Sequence, residues 1–231
     1  MIPIRDDQPR FSTPFVTYFL IAINVLIFLM EFALDPASLR GLIYEFGMVP
    51  SHVTGLVSGG HAASPAVALV PVFTSMFLHG SWMHVIGNMW FLWIFGDNVE
   101  DYLGHFKYLA FYLVSGVAAA LAQIVVNPFS TVPNVGASGA IAGVLGAYFI
   151  LYPKARVLTW LFYFFFYVPA WVMLGYWFVY QFLSGAATSI TQAGQNSGGI
   201  AFWAHVGGFV TGIVLIKILP ERPQRHRYGA W

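Results

Sequence analysis

Residues 136–152 read GASGAIAGVLGAYFILY, and this stretch decides how the rest of the sequence is interpreted. Ser138 opens a strongly apolar segment that contains no charged residue. A second apolar segment, 201–219, carries His205 within the sequence AHVGG. Nucleophilic acyl transfer requires at least a nucleophile, such as a hydroxyl, and a general base, such as an imidazole. Such groups are costly inside hydrocarbon-length segments, so both residues are candidate functional residues.

The composition indicates a membrane protein. Of the 231 residues, 58% are hydrophobic and only 8% are charged, whereas a soluble domain carries roughly 25% charged residues. Ten Lys and Arg nearly balance nine Asp and Glu, which argues against a nucleic-acid partner. The chain has no cysteine, which excludes disulfides, thiolate metal sites and a cysteine nucleophile.

The apolar segments predict an all-α, polytopic membrane protein with six transmembrane helices. The six predicted spans are 15–34, 81–98, 106–126, 138–152, 157–183 and 201–219. No small-residue cleavage site follows the first span, so we interpret it as retained. We expect a cytoplasmic segment 1–14 before the domain 15–219 and a basic cytoplasmic tail 220–231 after it. The connection 35–80 contains no single hydrophobic span.

Positive residues set the predicted orientation. With the N-terminus inside, nine Lys and Arg fall on the inner side: Arg5, Arg10, Lys107, Lys154, Arg156, Lys217, Arg222, Arg225 and Arg227. Only Arg40 falls on the outer side. We therefore predict a multi-pass protein of the lipid bilayer, in the bacterial inner membrane, with both termini cytoplasmic.

The fourth span is too short to cross a bilayer alone. Residues 139–152 reach about 21 Å as a helix, whereas the hydrocarbon core is about 30 Å thick. Pro153 and Lys154 hold the inner end, so Ser138 is expected roughly 10 Å below the outer surface. Non-helical backbone at that depth must be buried in protein or line a water-filled cavity. Residues 127–137 should therefore dip into such a cavity, with Ser138 at its floor.

Ser138 and His205 can meet if their two segments pack closely. Small residues recur at four-residue steps in both: Gly139, Gly143 and Ala147 in one, and Ala204, Gly208 and Gly212 in the other. Such faces let membrane helices touch, although most of them serve packing alone. At a helix start, Ser138 also meets free N–H groups and the positive end of the dipole. Gly136 and Gly139 allow a substrate to approach the backbone.

Residues 79–88, HGSWMHVIGN, add hydrogen-bond donors. His84 and Asn88 share one helix face, and such side chains can build an oxyanion hole beside a backbone N–H. A metal site of His79, His84 and His205 is the competing interpretation, but His79 and His84 lack the i, i+4 spacing of a helical zinc motif. We predict no metal and no cofactor. No Asp or Glu occurs in 103–219, which favours a Ser–His dyad over a triad.

Together these motifs resemble those of the rhomboid intramembrane serine proteases, over about residues 70–220. The resemblance implies that Ser138 is the nucleophile and His205 the general base. It implies an oxyanion hole made by Asn88, His84 and the Ser138 backbone N–H. Two further residues match family positions: Glu100, a structural acid, and Gln123, which helps to bring water. Some members carry a tyrosine where this chain has Ala142, so another group must hold the imidazole.

The predicted function is that of a serine endopeptidase acting on transmembrane or juxtamembrane segments of single-span membrane proteins. Gly136, Gly139 and His79 are predicted to support the site. The aromatic fifth span, 157–183, is either a lateral gate for substrate or a lipid-facing helix. Two other classes stay open: an inactive relative that binds membrane clients, and a small transporter, which the lack of carboxylates in the last four spans disfavours.

Overall fold

A computed structural model describes residues 1–58, 64–191 and 201–222, and within these ranges the chain is mostly helical. The helices are α1 (Phe15–Phe32), α2 (Pro36–Phe46), α3 (Pro50–Ser58), α4 (Pro65–Thr74), α5 (Trp82–Leu103), α6 (His105–Val126), α7 (Ser138–Leu151), α8 (Ala170–Thr191) and α9 (Phe202–Ile218). The strands are β1 (Ile2–Asp6), β2 (Arg156–Leu161) and β3 (Phe164–Pro169). A 3₁₀ turn, Ser75–Phe77, follows α4.

Helix α7 forms the centre of the bundle. Every residue from 139 to 148 is buried, so this helix has no polar or exposed face. Helices α5, α6, α8 and α9 pack around it, and α1 packs on the outside of α5 and α6. A helix that is apolar all round needs such an enclosure. Its N-terminal residue, Ser138, is thereby held inside the protein.

Several helices have the properties of membrane spans. Among the described residues, α1 and α6 are long and apolar enough to cross a bilayer by themselves. Helix α5 and the preceding segment 65–77 form a further candidate that is bent by 74°. Helices α7 and α9 are apolar but shorter. The predicted fold class, a helical polytopic membrane bundle, is confirmed.

The contact between α7 and α9 depends on glycine. A Cβ atom added to Gly208 would overlap the carbonyl oxygen of Gly139, and one added to Gly212 would overlap that of Gly143. Likewise, a Cβ atom at Gly146 would overlap the carbonyl oxygen of Phe209. The backbones of the two helices therefore touch directly, through the small-residue faces that the sequence predicts.

The end of the bundle opposite Ser138 is closed by charged groups. Glu100 is fully buried and accepts hydrogen bonds from the backbone N–H groups of Val16 and Thr17, at 2.9 and 2.7 Å. Its carboxylate thus neutralises the N-terminal end of α1. His105 Nδ1 lies 2.6 Å from the same carboxylate. This placement supports a structural role for Glu100.

Ion pairs surround Glu100 and join segments that are distant in sequence. Arg10 pairs with Asp97 at 3.4 Å, and Arg222, after α9, pairs with Asp101 at 2.7 Å. The N-terminal segment, α5 and the chain after α9 are therefore held together at this end. Residues 223–231, which include most of the predicted basic tail, lie outside the described residues.

The predicted fifth span, 157–183, is wrong. The structure has a β-hairpin of β2 and β3 in its first half, and α8 begins only at Ala170. The hairpin segment is rich in aromatic and β-branched residues, which favour strands. Hydropathy alone does not separate a buried helix from a short apolar strand. The helix that is either a lateral gate or lipid-facing is therefore α8 alone.

The N-terminal segment also differs from a simple polar tail. Strand β1 pairs antiparallel with β2 and completes a three-stranded sheet. Asp7, just after β1, forms an ion pair with Arg156 at 2.9 Å. The two hydrogen bonds from Arg156 lower the pKa of the exposed Asp7 carboxyl. The connection 35–80, in turn, contains α2, α3 and α4.

Gly208→Ala tests the helix contact, because the new methyl group meets backbone that cannot rotate away. We expect a loss of about 1–3 kcal/mol in the free energy of unfolding, measured by thermal denaturation in detergent micelles. Gly87→Ala is the matched control, since a Cβ atom at Gly87 meets no atom within 4 Å. Equal melting temperatures for the two variants would contradict the direct contact of α7 and α9.

Candidate active site

Ser138 and His205 lie within hydrogen-bonding distance. Ser138 is the first residue of α7 and His205 lies in the first turn of α9. The Ser138 Oγ is 2.7 Å from His205 Nε2. His205 is 8% exposed, so the imidazole is shielded from solvent while the serine is only half-buried. The close approach of α7 and α9 produces this distance.

Gln181 holds the other nitrogen of the imidazole. Its Oε1 lies 2.8 Å from His205 Nδ1, and both side chains are buried. An amide oxygen can only accept, so the proton of the neutral imidazole is on Nδ1. Nε2 is then unprotonated and accepts from the Ser138 hydroxyl. The indole of Trp177 lies against the same imidazole, with ring centroids 5.8 Å apart.

Sequence analysis missed Gln181 and Trp177, both in α8. Within 170–183, Gln181 is the only residue with an amide or charged side chain, and this isolated polar group was the available signal. Ala142 is buried in α7. The imidazole is thus held by an amide and an indole from α8 and not by a side chain at position 142.

His84 and Gly136 form one wall beside Ser138. Gly136 has φ +130°, a conformation that favours glycine. A Cβ atom there would lie 2.7 Å from His84 Nε2, so the imidazole packs directly on the backbone two residues before Ser138. The Gly136 N–H donates to the Ser75 carbonyl at 2.8 Å, which anchors this turn. Gly139, in turn, has no room for a side chain beside Ala119.

Asn88 and His79 form a buried pair next to His84. The Asn88 Nδ2 lies 3.0 Å from His79 Nε2. An amide nitrogen only donates, so His79 Nε2 accepts one of its two N–H groups. The imidazoles of His79 and His84 meet edge to face, with centroids 5.1 Å apart. His79 therefore contacts both side chains that sequence analysis assigned to the oxyanion hole.

A small cavity adjoins the serine. It has a volume of about 40 Å³ and its lining includes Ser75, Asn134, Gly136 and Ser138. This volume is sufficient for water, and polar atoms line it. Gln123 is buried at the end of α6 and is not among the lining residues. The structure therefore places Ser138 on a cavity, and the water-related role of Gln123 stays a prediction.

The sequence comparison identifies the family. The model of the Rhomboid domain matches residues 67–222, which include every residue of the site described above. This chain belongs to the rhomboid family.

Individual rhomboid relatives match at about 30% identity. Rhomboid protein 1, mitochondrial, of Saccharomyces cerevisiae is 29% identical over 171 residues, covering 70% of this chain and 46% of the yeast protein. Rhomboid-like protein 11, chloroplastic, of Arabidopsis thaliana is 31% identical over 158 residues, covering 65% and 52%. Presenilin-associated rhomboid-like protein, mitochondrial, of Rattus norvegicus is 31% identical over 183 residues, covering 75% and 45%. This rhomboid thus spans about half the length of these relatives.

The names of these relatives refer to mitochondria and chloroplasts. They give no support to the predicted bacterial inner membrane. The family match and the apolar helices show that this rhomboid is a membrane protein.

The metal alternative conflicts with the hydrogen bonding of His205. Both of its ring nitrogens are engaged, one by Ser138 and one by Gln181. A metal ligand needs a free nitrogen lone pair. In the parts of the chain that the structure describes, no three His, Asp or Glu side chains are grouped to hold a metal ion.

Gln181→Leu tests the role of the amide. Without an acceptor at Nδ1, the imidazole loses its fixed tautomer, and we expect kcat for any Ser138-dependent hydrolysis to fall about 10-fold or more. KM should change little, since Gln181 contacts the base. Gln181→Glu, which keeps an acceptor oxygen, should retain most of the activity. Equal losses in the two variants would show that the acceptor is not what matters.

Proposed function

We propose that this rhomboid is an intramembrane serine endopeptidase that cleaves transmembrane or juxtamembrane segments of single-span membrane proteins. The observation that carries the proposal is the arrangement of Ser138, His205 and Gln181. Nucleophilic acyl transfer requires a hydroxyl and an imidazole whose acceptor nitrogen faces that hydroxyl. It also requires that the imidazole be held in this tautomer. Membership of the rhomboid family, whose substrates are membrane proteins, supports the same conclusion.

The reaction begins with proton transfer. His205 Nε2 takes the proton of Ser138 as Oγ attacks the scissile carbonyl carbon. When the tetrahedral intermediate collapses, the imidazolium gives this proton to the leaving amine and an acyl-serine ester remains. Water then attacks the ester, with His205 again acting as base, and Ser138 is released. The polar cavity beside Ser138 has room for the water that hydrolyses the acyl-serine ester in the second half of the reaction.

The negative charge on the oxygen of the tetrahedral intermediate must be stabilised by hydrogen-bond donors on one side of Ser138. The backbone N–H groups at the start of α7 are available, because Ala137 provides no side-chain cap. We assign the other donors to His84, beside Gly136, and to Asn88, whose second amide N–H is not used by His79. Donors held in place before reaction stabilise the transition state without reorganisation.

The proposed orientation puts the Ser138 end of the bundle on the outer side. Arg10 and Arg222, two of the positive residues predicted on the cytoplasmic side, lie at the opposite end, where they pair with Asp97 and Asp101. Arg10, shortly before α1, and Arg222, shortly after α9, both lie there, which supports a cytoplasmic location for the segments that precede α1 and follow α9. Residence in a bacterial inner membrane remains a proposal from sequence.

Ser138→Ala and His205→Ala test the proposed dyad. Each should lower cleavage of a model single-span substrate in liposomes at least about 1000-fold, and the double variant should be little worse, because the two residues act as a unit. Ser38→Ala, which changes an exposed serine on α2, is the control. Cleavage that survives in Ser138→Ala would contradict the assignment of the nucleophile.

Labelling by a serine-reactive fluorophosphonate separates this proposal from the two other classes. An inactive relative that binds clients, or a transporter, has no activated serine and should not react. We expect labelling of the wild-type protein that is lost in Ser138→Ala and retained in Ser38→Ala.

Asn88→Ala tests the oxyanion hole. Removing one donor should lower kcat on the order of 10- to 1000-fold, with little change in KM, because the bond strengthens only in the transition state. Thermal stability is measured on the same preparation. A large loss of melting temperature with near-normal kcat would assign Asn88 to helix packing alone.

A further inference from the structure

Glu31 is a buried carboxylate near the site that the reaction described above does not use. It lies in the last turn of α1 and is only 2% exposed. Its oxygens accept a hydrogen bond from the backbone N–H of His79, at 3.1 and 3.3 Å. An ionisable side chain in a membrane segment is costly and marks a functional site by default.

We propose that Glu31 is a positioning residue for the oxyanion hole. It holds the backbone of His79, and the imidazole of His79 in turn holds the amide of Asn88. The inference rests on the proposed function, because it assigns Asn88 to the oxyanion hole. Glu31 itself touches neither Ser138 nor a reacting atom in this scheme.

The first link is the backbone of His79. This residue lies in the irregular segment between the 3₁₀ turn Ser75–Phe77 and α5, which begins at Trp82. A buried N–H in such a segment has no partner within regular secondary structure and must find one elsewhere. The Glu31 carboxylate supplies that partner. This hydrogen bond ties the His79 backbone to α1.

The second link is the side chain of His79. Phe28, one turn before Glu31 on α1, packs edge-on against the imidazole, with centroids 6.5 Å apart. Helix α1 therefore contacts both the backbone and the ring of His79. The ring can neither shift nor turn without losing one of these contacts.

The third link is the amide of Asn88. One of its N–H groups donates to His79 Nε2 at 3.0 Å, which fixes the amide plane. The second N–H is then aimed in a fixed direction. The same imidazole packs against His84. A displacement of His79 would therefore disturb both side-chain donors of the proposed oxyanion hole.

A purely structural carboxylate would behave differently. Its loss would lower stability, and its effect on kcat would multiply with that of any site variant. A positioning residue that acts through Asn88 can no longer affect kcat once the Asn88 amide has been removed. A double-mutant cycle between Glu31 and Asn88 separates these two cases.

The experiment uses Glu31→Leu and Glu31→Gln, each alone and combined with Asn88→Ala. The full-length protein is reconstituted in liposomes, and kcat and KM are measured with a model single-span substrate. Rates are divided by the fraction of protein that fluorophosphonate labels when the labelling reaction is complete. This normalisation excludes unfolded protein from the measured kcat. Glu45→Leu, which removes an exposed glutamate on α2, is the matched control.

We expect Glu31→Leu to lower kcat on the order of 10-fold per labelled site with KM unchanged. Glu31→Gln keeps an acceptor oxygen and should stay within about threefold of wild type. In the Asn88→Ala background, Glu31→Leu should lower kcat less than about twofold further. Glu45→Leu should match the wild-type protein.

Two results would overturn the inference while leaving the proposed function intact. One is a wild-type kcat per labelled site in Glu31→Leu. The other is an undiminished effect of Glu31→Leu in the Asn88→Ala background. Absence of Ser138-dependent cleavage and labelling in the wild-type protein would instead remove the proposed function, and this inference with it.

Discussion

The site depends on the direct backbone contact between α7 and α9. Gly139 and Gly208 meet with no space for a side chain between them, and Ser138 and His205 lie beside that contact. A bilayer offers no hydrophobic driving force between helices, so their association depends on close van der Waals packing and hydrogen bonds. The 2.7 Å distance between Ser138 Oγ and His205 Nε2 follows from this approach.

Helix α1 carries a second constraint on the bundle. At one end its N–H groups are capped by Glu100, and near the other end its own Glu31 binds the backbone of His79. Each carboxylate is buried and each satisfies backbone groups that would otherwise be unpaired in a low-dielectric environment. The helix thereby links the charged end of the bundle to the residues beside the serine.

Much of the site could be predicted because its motifs are local. His84 and Asn88 share a helix face through their spacing, and Ser138 begins a short apolar helix. The β2–β3 hairpin was predicted as helix because a continuous apolar segment is compatible with either a helix or a strand. Pairing of β2 with β1 favours the strand. Gln181 was missed because its partner, His205, is 24 residues away in sequence.

The sequence by itself determined the membrane environment, the apolar segments and the small-residue faces, since these depend on composition and on helical periodicity. Only the tertiary structure decided which groups hold the imidazole and which carboxylate supports His79. Those contacts join α1, α5, α8 and α9, and their geometry depends on how whole helices pack. Such distances are set by the packing of the bundle, so no local pattern specifies them.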